Sequence, residues 1–559
     1  MGVQTVLCRV TFFLLILVSL FALRQDASAA QPKLVVVVSV DQLCYNYLSI
    51  YRQGLAEDGF FRNVQRDGAS FSHCYHRHAF TFTGPGHSVL LTGAYPDRTA
   101  IIGNGWFDPD WGRDRYCVED PDVQVVGLPE GEGQPMSPTS LQAETLGDVL
   151  KRTTAGKAKV FGIALKDRAG ILMAGRRADA AYWFESRRWV TSTYYRDDLP
   201  GYIRTWNDSG IVEQYGGATW DLLLPKEKYI LGRPDDYEHE NDGYGLGRAF
   251  PHQLASAEDA SFDKQLPITP IGNQLTLEAA LMLIEFEALG ADDVPDILGI
   301  GLSSNDYAGH QYGPYSMEVQ DMLFRTDQLL GQFIRQLDER VGEGAWTLAL
   351  TADHGVAPLP EFLERLGRVP TLRNPLGDHE LNEFQQTLEG KLRQVLGAPP
   401  EGESYVLEAE VNQINLNRDP AVLSGEQMLK ARQVIKAALE EMPAIHKAYT
   451  RDEILASPSS GGLLLSHFKK AFHCERSGDV LFVLAPYTIQ SRSAATHGSP
   501  WPYDTHVPMV LLGGGIKVDA YDQQCSPANL GPTLARLLNV ETPMHAVESP
   551  LVEVLDSKQ

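Results

Sequence analysis

The sequence predicts an α/β protein: a mostly parallel sheet sandwiched by helices, with inserted cap segments. Three observations carry this. Lys33-Leu-Val-Val-Val-Val-Ser-Val40 is an uninterrupted, β-branched run, the pattern of a strand buried on both faces, and it ends on a polar residue, Asp41. Runs of the same kind recur and also end near polar residues: 160–165 before Lys166, 297–302 before Asp306, and 346–351 before Asp353-His354. Segments with helical spacing of apolar residues lie between them, at 140–151, 275–289, 317–341, 427–441 and 530–538.

Two further apolar runs, 480–484 and 507–512, complete the expected strands. Strands alternating with helices imply a sheet covered on both faces, and such sheets bind ligands at the carboxyl ends of their strands. Residues from about 176 to 270, rich in Trp, Tyr, Gly and Asp, interrupt the alternation, as do those from about 357 to 478. Both are read as insertions over the ligand-binding edge of one catalytic domain, 31–559.

The first thirty residues differ from the rest. Arg9 precedes the apolar run 10–23, and Ala27-Ser-Ala-Ala30 supplies the small residues that an export peptidase requires. The run is shorter than the roughly 20 residues of a membrane span. A cleaved signal peptide, a periplasmic or secreted mature chain and a monomer off the membrane are expected. The 48 basic against 72 acidic residues give a net charge of −24, which argues against a nucleic-acid partner. Five cysteines remain after residue 30: Cys44, Cys74, Cys117, Cys474 and Cys525. In an oxidising compartment one or two disulfides are expected from them.

Chemistry gathers at the strand ends. Asp41, Asp306, His310, Asp353, His354 and His497 are a mixed oxygen and nitrogen donor set, compatible with Zn²⁺ and too large for one tetrahedral ion. A pair of metal ions is the natural reading. An aspartate at a strand tip commonly caps a turn, so the joint appearance of these residues carries the inference. Thr81-Phe-Thr-Gly-Pro-Gly-His-Ser88 places small residues and Pro85 where a helix would start, with the Thr83 hydroxyl at its N-terminus, a position that favours an anion. Lys166 and Arg168 are expected on one side of an extended strand end, able to grip one phosphoryl group, and Asn104 adds a neutral donor in Gly103-Asn-Gly-Trp106.

These motifs, with Asn305-Asp306-x-x-x-His310, Asp353-His-Gly355 and His497-Gly-x-x-x-x-Tyr503-Asp-Thr-His506, occur in the order seen in the alkaline phosphatase superfamily. The chain most resembles the bacterial branch with a threonine nucleophile, the PafA type. The resemblance implies one zinc held by Asp306, His310 and His497, and a second held by Asp41, Asp353, His354 and the Thr83 oxygen. Asn104, Lys166 and Arg168 would contact the transferred phosphoryl group. It leaves His506 as the weaker late histidine and gives His73, His76, His78 and His87 no ligand role. Cys44 stands where related sequences tend to carry a basic residue.

The activity implied is hydrolysis of phosphate monoesters through a phosphothreonine, with release of inorganic phosphate. A monoester dianion offers free oxygens for both Lys166 and Arg168, a pair absent from the nucleotide pyrophosphatase/phosphodiesterase branch. The alternatives are a phosphodiesterase, nucleotide pyrophosphatase or phosphonate hydrolase on the same scaffold and, from another class, an inactive exported metal-binding protein. A sulfatase is disfavoured because the Thr83 turn lacks the arginine of that branch.

Overall fold

The computed structural model describes residues 31–230, 232–368, 371–377, 381–456 and 461–556. The expected signal peptide lies outside the described residues. At the centre is a ten-stranded sheet in the order 519–525, 68–74, 509–513, 346–351, 34–40, 296–302, 160–164, 180–185, 188–192 and 125–126. The strands from 346–351 to 180–185 are mutually parallel. Leu34–Val40 is buried along its whole length, as its unbroken apolar run requires. Its neighbours are in register on both sides, Leu34 opposite both Asp296 and Trp346.

Because these strands are parallel, their polar ends emerge on one edge, and the helices that follow begin there. Helix Asp167–Ala174 presses closely on the sheet because Gly162 has no side chain; a Cβ there would collide with the Gly170 carbonyl. Helices Pro270–Phe286 and Met317–Arg340 pack on each other and contribute Leu275, Leu283, Leu323, Phe333 and Leu337 to the main core.

Four expectations change. The run 480–484 is not part of the central sheet. It joins a four-stranded antiparallel sheet in the order 406–409, 413–416, 480–484, 445–450, which has its own core including Leu388, Leu392, Ile435 and Phe482 under helices Asn382–Leu396 and Gly425–Glu440. A short apolar run reads alike in either setting, because both bury the strand on two faces. The run 507–512 does enter the central sheet, as Met509–Gly513, but antiparallel to both neighbours. Residues 180–192, in the first segment read as an insertion, form two central strands. The disulfides expected from composition do not appear either: all five described cysteines are free, four of them buried.

Candidate active site

Helix Thr83–Thr92 begins at Thr83, with Phe82 as N-cap and Pro85 third in the helix, two places later than its residue preference suggests. Thr83 is buried at the carboxyl edge of the sheet. Its Oγ1 lies 3.4 Å from His354 Nε2 and accepts a hydrogen bond from Arg168 Nη2 at 3.3 Å. Asn104 Oδ1 accepts from the Gly84 amide at 2.7 Å, which ties the loop carrying Asn104 to the start of this helix.

Lys166 and Arg168 do converge, by a geometry other than strand alternation. The strand ends at Ala164, and Lys166 caps helix Asp167–Ala174, so Arg168 sits in a helical first turn. Lys166 Nζ donates to Asp41 Oδ2 at 2.7 Å and to Asp306 Oδ2 at 2.5 Å, and it stands over the Tyr307 ring. Arg168 Nη1 donates to the Tyr116 hydroxyl at 2.9 Å, and that hydroxyl donates to Asp167.

Asp306 and His310, one turn apart on helix Ser304–Tyr312, face each other with His310 Nε2 3.2 Å from Asp306 Oδ1. His497 Nε2 is 3.6 Å from the same oxygen. On the other side, His354 Nε2 is 3.2 Å from Asp353 Oδ2 and 3.5 Å from Asp41 Oδ1. Two sets of mutually close donor atoms result, Asp306 with His354 and His497, and Asp41 with Asp353 and His354. The rings of His354 and His497 stack with centroids 3.4 Å apart.

Each of the three histidines turns its Nδ1 to a backbone carbonyl: His310 to Ala495 at 2.9 Å, His354 to Gly355 at 2.9 Å and His497 to Thr81 at 2.8 Å. A carbonyl only accepts, so each Nδ1 carries the proton and each Nε2 faces inward, where a neutral ring offers a lone pair; burial works to lower His310, but Asp306 prevails and raises it. Asp41 Oδ1 is buried among the described residues with no hydrogen-bond donor. Lone pairs pointing at one another in a dry pocket require cations, and a metal ion fits this donor set.

The carboxyl groups respond unequally to this crowding. Burial, and then the neighbouring Asp353, push Asp41 well above the usual carboxylate range. Burial also works to raise Asp306, but His310 and Lys166 prevail and hold it well below that range. Burial, with His354 adding to it, keeps His497 neutral.

Several contributors were not read from the sequence. Gln42, at φ 67, donates its amide to Asp353 Oδ1 at 3.2 Å and its side-chain amide to Asp306. Its place beside Asp41 was the available signal. Tyr116 gave none, since it reaches Arg168 only through tertiary packing. His87 Nδ1 lies 3.2 Å from Asp353 Oδ2, behind the donor set. His76 is buried behind the donor set, with Nε2 2.9 Å from the carbonyl of Ala352, and touches the buried His78 ring; His73 is exposed, and His506 is stacked between Tyr45 and Tyr75. Cys44 is a buried thiol pushed up to about 12, chiefly by burial, so it brings no charge to Asp41.

The model of the type I phosphodiesterase / nucleotide pyrophosphatase family matches residues 35–501. A protein of Myroides odoratus named calcium-transporting ATPase is 33% identical, covering 96% of this chain and 97% of its own. Alkaline phosphatase PafA of Elizabethkingia meningoseptica is 31% identical over 97% of this chain and 98% of its own. The crystal structure of wild-type PafA superposes with a TM-score of 0.86, covering 94% of this chain and 99% of that one. Murine ectonucleotide pyrophosphatase / phosphodiesterase 5, at 15% identity and a TM-score of 0.51, shares the fold. With its family model matched over most of its length, the chain belongs to the type I phosphodiesterase / nucleotide pyrophosphatase family of the alkaline phosphatase superfamily.

Proposed function

We propose that this chain is an exported phosphate monoester hydrolase that uses Thr83 as nucleophile beside two zinc ions and releases inorganic phosphate. The observation that carries the reading is the set of inward Nε2 atoms of His310, His354 and His497 beside three buried carboxyl groups, with His354 3.4 Å from the Thr83 hydroxyl. Asp306, His310 and His497 would hold one ion, and Asp41, Asp353, His354 and the Thr83 oxygen the other. When bound, the ions supply Lewis acidity toward the attacking and departing oxygens.

The chain's own groups do the rest. Arg168, already bonded to Thr83 Oγ1, favours the alkoxide over the hydroxyl and aims one guanidinium edge at the phosphoryl group. The Thr83 oxygen attacks phosphorus as the bond to the leaving oxygen breaks, and the departing alcohol takes up a proton. Water then attacks the phosphothreonine, the Oγ–P bond breaks with its electron pair on the threonine, and phosphate leaves. Lys166 and Arg168 neutralise charge on the non-bridging oxygens in both steps, while Asn104 donates to one of them. The family model's description favours a second reading, hydrolysis of diesters. Lys166 and Arg168 favour monoesters, because esterification of a second oxygen removes a charge that they would otherwise meet.

Export rests on the basic, apolar and small-residue succession at 9–30. Among the described residues no helix is long and apolar enough to cross a membrane. The four-stranded unit and the part of the earlier segment that follows its two sheet strands, 193–270, are read as inserts that shape access to the site.

Rates on an aryl phosphate and on its methyl diester test the assignment. Wild-type protein is expected to prefer the monoester, and Arg168→Ala to lower monoester kcat/KM by about 10²–10³-fold while changing diester hydrolysis far less. A diester preference in the wild type, or equal losses on both substrates, overturns it.

A further inference from the structure

We propose that Arg373 is a positioning residue that, braced by Glu361, sets the affinity of the Asp306–His310–His497 set for its cation. The inference rests on the metal-centre reading above and assigns a role outside the donor set. Arg373 belongs to a two-residue strand, Leu372–Arg373, that pairs in parallel with Thr488–Ile489. Its guanidinium bridges two chain segments, each of which leads to or from a donor residue.

On one side, Nη1 donates to the Ser493 carbonyl at 3.0 Å and Nη2 to the Ala494 carbonyl at 2.8 Å. The next carbonyl, that of Ala495, receives His310 Nδ1, and the Ala494 amide donates to the His310 carbonyl at 2.9 Å. His497 follows two residues later. On the other side, Nε and Nη2 form a two-point pair with Glu361, at 2.6 and 2.9 Å, on helix Pro360–Arg365, seven residues beyond His354. The Ala357 amide bonds to the Thr496 carbonyl between the same two segments.

A planar fork with fixed donor directions holds four acceptors in one arrangement, which a lysine cannot do. The Ala495 carbonyl orients His310, so displacement of the 493–497 segment would turn the His310 ring and move His497 together. Loss of an outer partner of this kind commonly costs about 10–100-fold in metal affinity. Arg373 touches neither substrate nor the reacting atoms, so its effect should vanish when metal is in excess.

The test uses the full chain loaded with Zn²⁺ and challenged by a competing fluorescent chelator, with metal counted per chain. Arg373→Ala is expected to release one of two ions at roughly 10–100-fold lower chelator concentration. Arg373→Lys should fall between, and Glu361→Gln should shift the same ion less. Adding Glu361→Gln to Arg373→Ala should add little, because the brace is already absent. In zinc-saturated buffer the variants should recover kcat with KM unchanged. If Arg373→Ala does not fold, Arg373→Lys and Glu361→Gln carry the test. Variants that lose thermal stability yet hold both ions as tightly as wild type overturn the brace alone. A wild-type chain that binds no zinc overturns both the brace and the proposed function.

Discussion

Two clusters of carboxyl groups in this molecule meet opposite fates. In the active site Asp41, Asp306 and Asp353 share buried space with Lys166, Arg168 and three imidazole rings. Where the four-stranded unit meets the hairpin that follows Asn104, Glu408 and Glu410 face Asp114, with Gln413, Asn415 and the Phe107 amide as further contacts of Glu410. Burial, reinforced by the neighbouring acids, pushes Glu408 up to about 8 and Glu410 up to about 7. Crowded carboxyls without cations thus settle by keeping protons, whereas in the active site Asp306 and Asp353, beside fixed cations and imidazoles, are held ionised and Asp41 alone is pushed up. The first arrangement needs only proximity. The second requires donors from five separate parts of the chain.

Substitutions that remove one negative charge should therefore act in opposite directions in the two places. The largest effect is expected from Asp306→Asn, which takes an anionic donor from one set and a partner from Lys166; loss of one bound ion and a fall in turnover of more than roughly 100-fold are predicted, read by metal analysis and steady-state kinetics. Retention of two ions at full activity would break the contrast. Tyr116→Phe leaves every charge in place but removes the hydroxyl between Asp167 and Arg168. A loss of about 10-fold in monoester kcat/KM with metal content unchanged is expected, the size of one hydrogen bond to a charged group.

The smallest effect lies in the other cluster. Glu410 titrates near about 7 in the folded chain against an ordinary 4.5, so the folded state holds a proton that the unfolded state releases first. Stability from that proton is complete below the ordinary value and is lost as pH rises through about 7. Glu410→Gln should then raise unfolding free energy by about 1–2 kcal/mol at pH 9 and by little at pH 4, measured by denaturant titration. Equal effects at both pH values would show that Glu410 does not carry the proton.

The sequence made the donor set legible because parallel strands deliver their last residues to one edge, and the letters at those ends are chemically unusual. Asp353-His354-Gly355 and Asp306 with His310 could be read as a group for that reason. Lys166 and Arg168 were found through a strand geometry that does not hold, since the helix starts at Asp167 and its first turn brings the two side chains together instead. The place of 480–484 was not legible, because periodicity reports burial but not which sheet buries it. Tyr116 and Arg373 escaped for a further reason. Their partners lie 52 and about 120 residues away, and only the folded chain brings them within hydrogen-bond reach.

The covalent step at Thr83 offers the most direct measurement. Wild-type protein mixed with a radiolabelled phosphate monoester and quenched in acid should carry label on the peptide containing Thr83, and Thr83→Ala should carry none while retaining its metal. Turnover by wild type with no label at Thr83, or full turnover by Thr83→Ala, would contradict a threonine nucleophile held among those cation-binding groups.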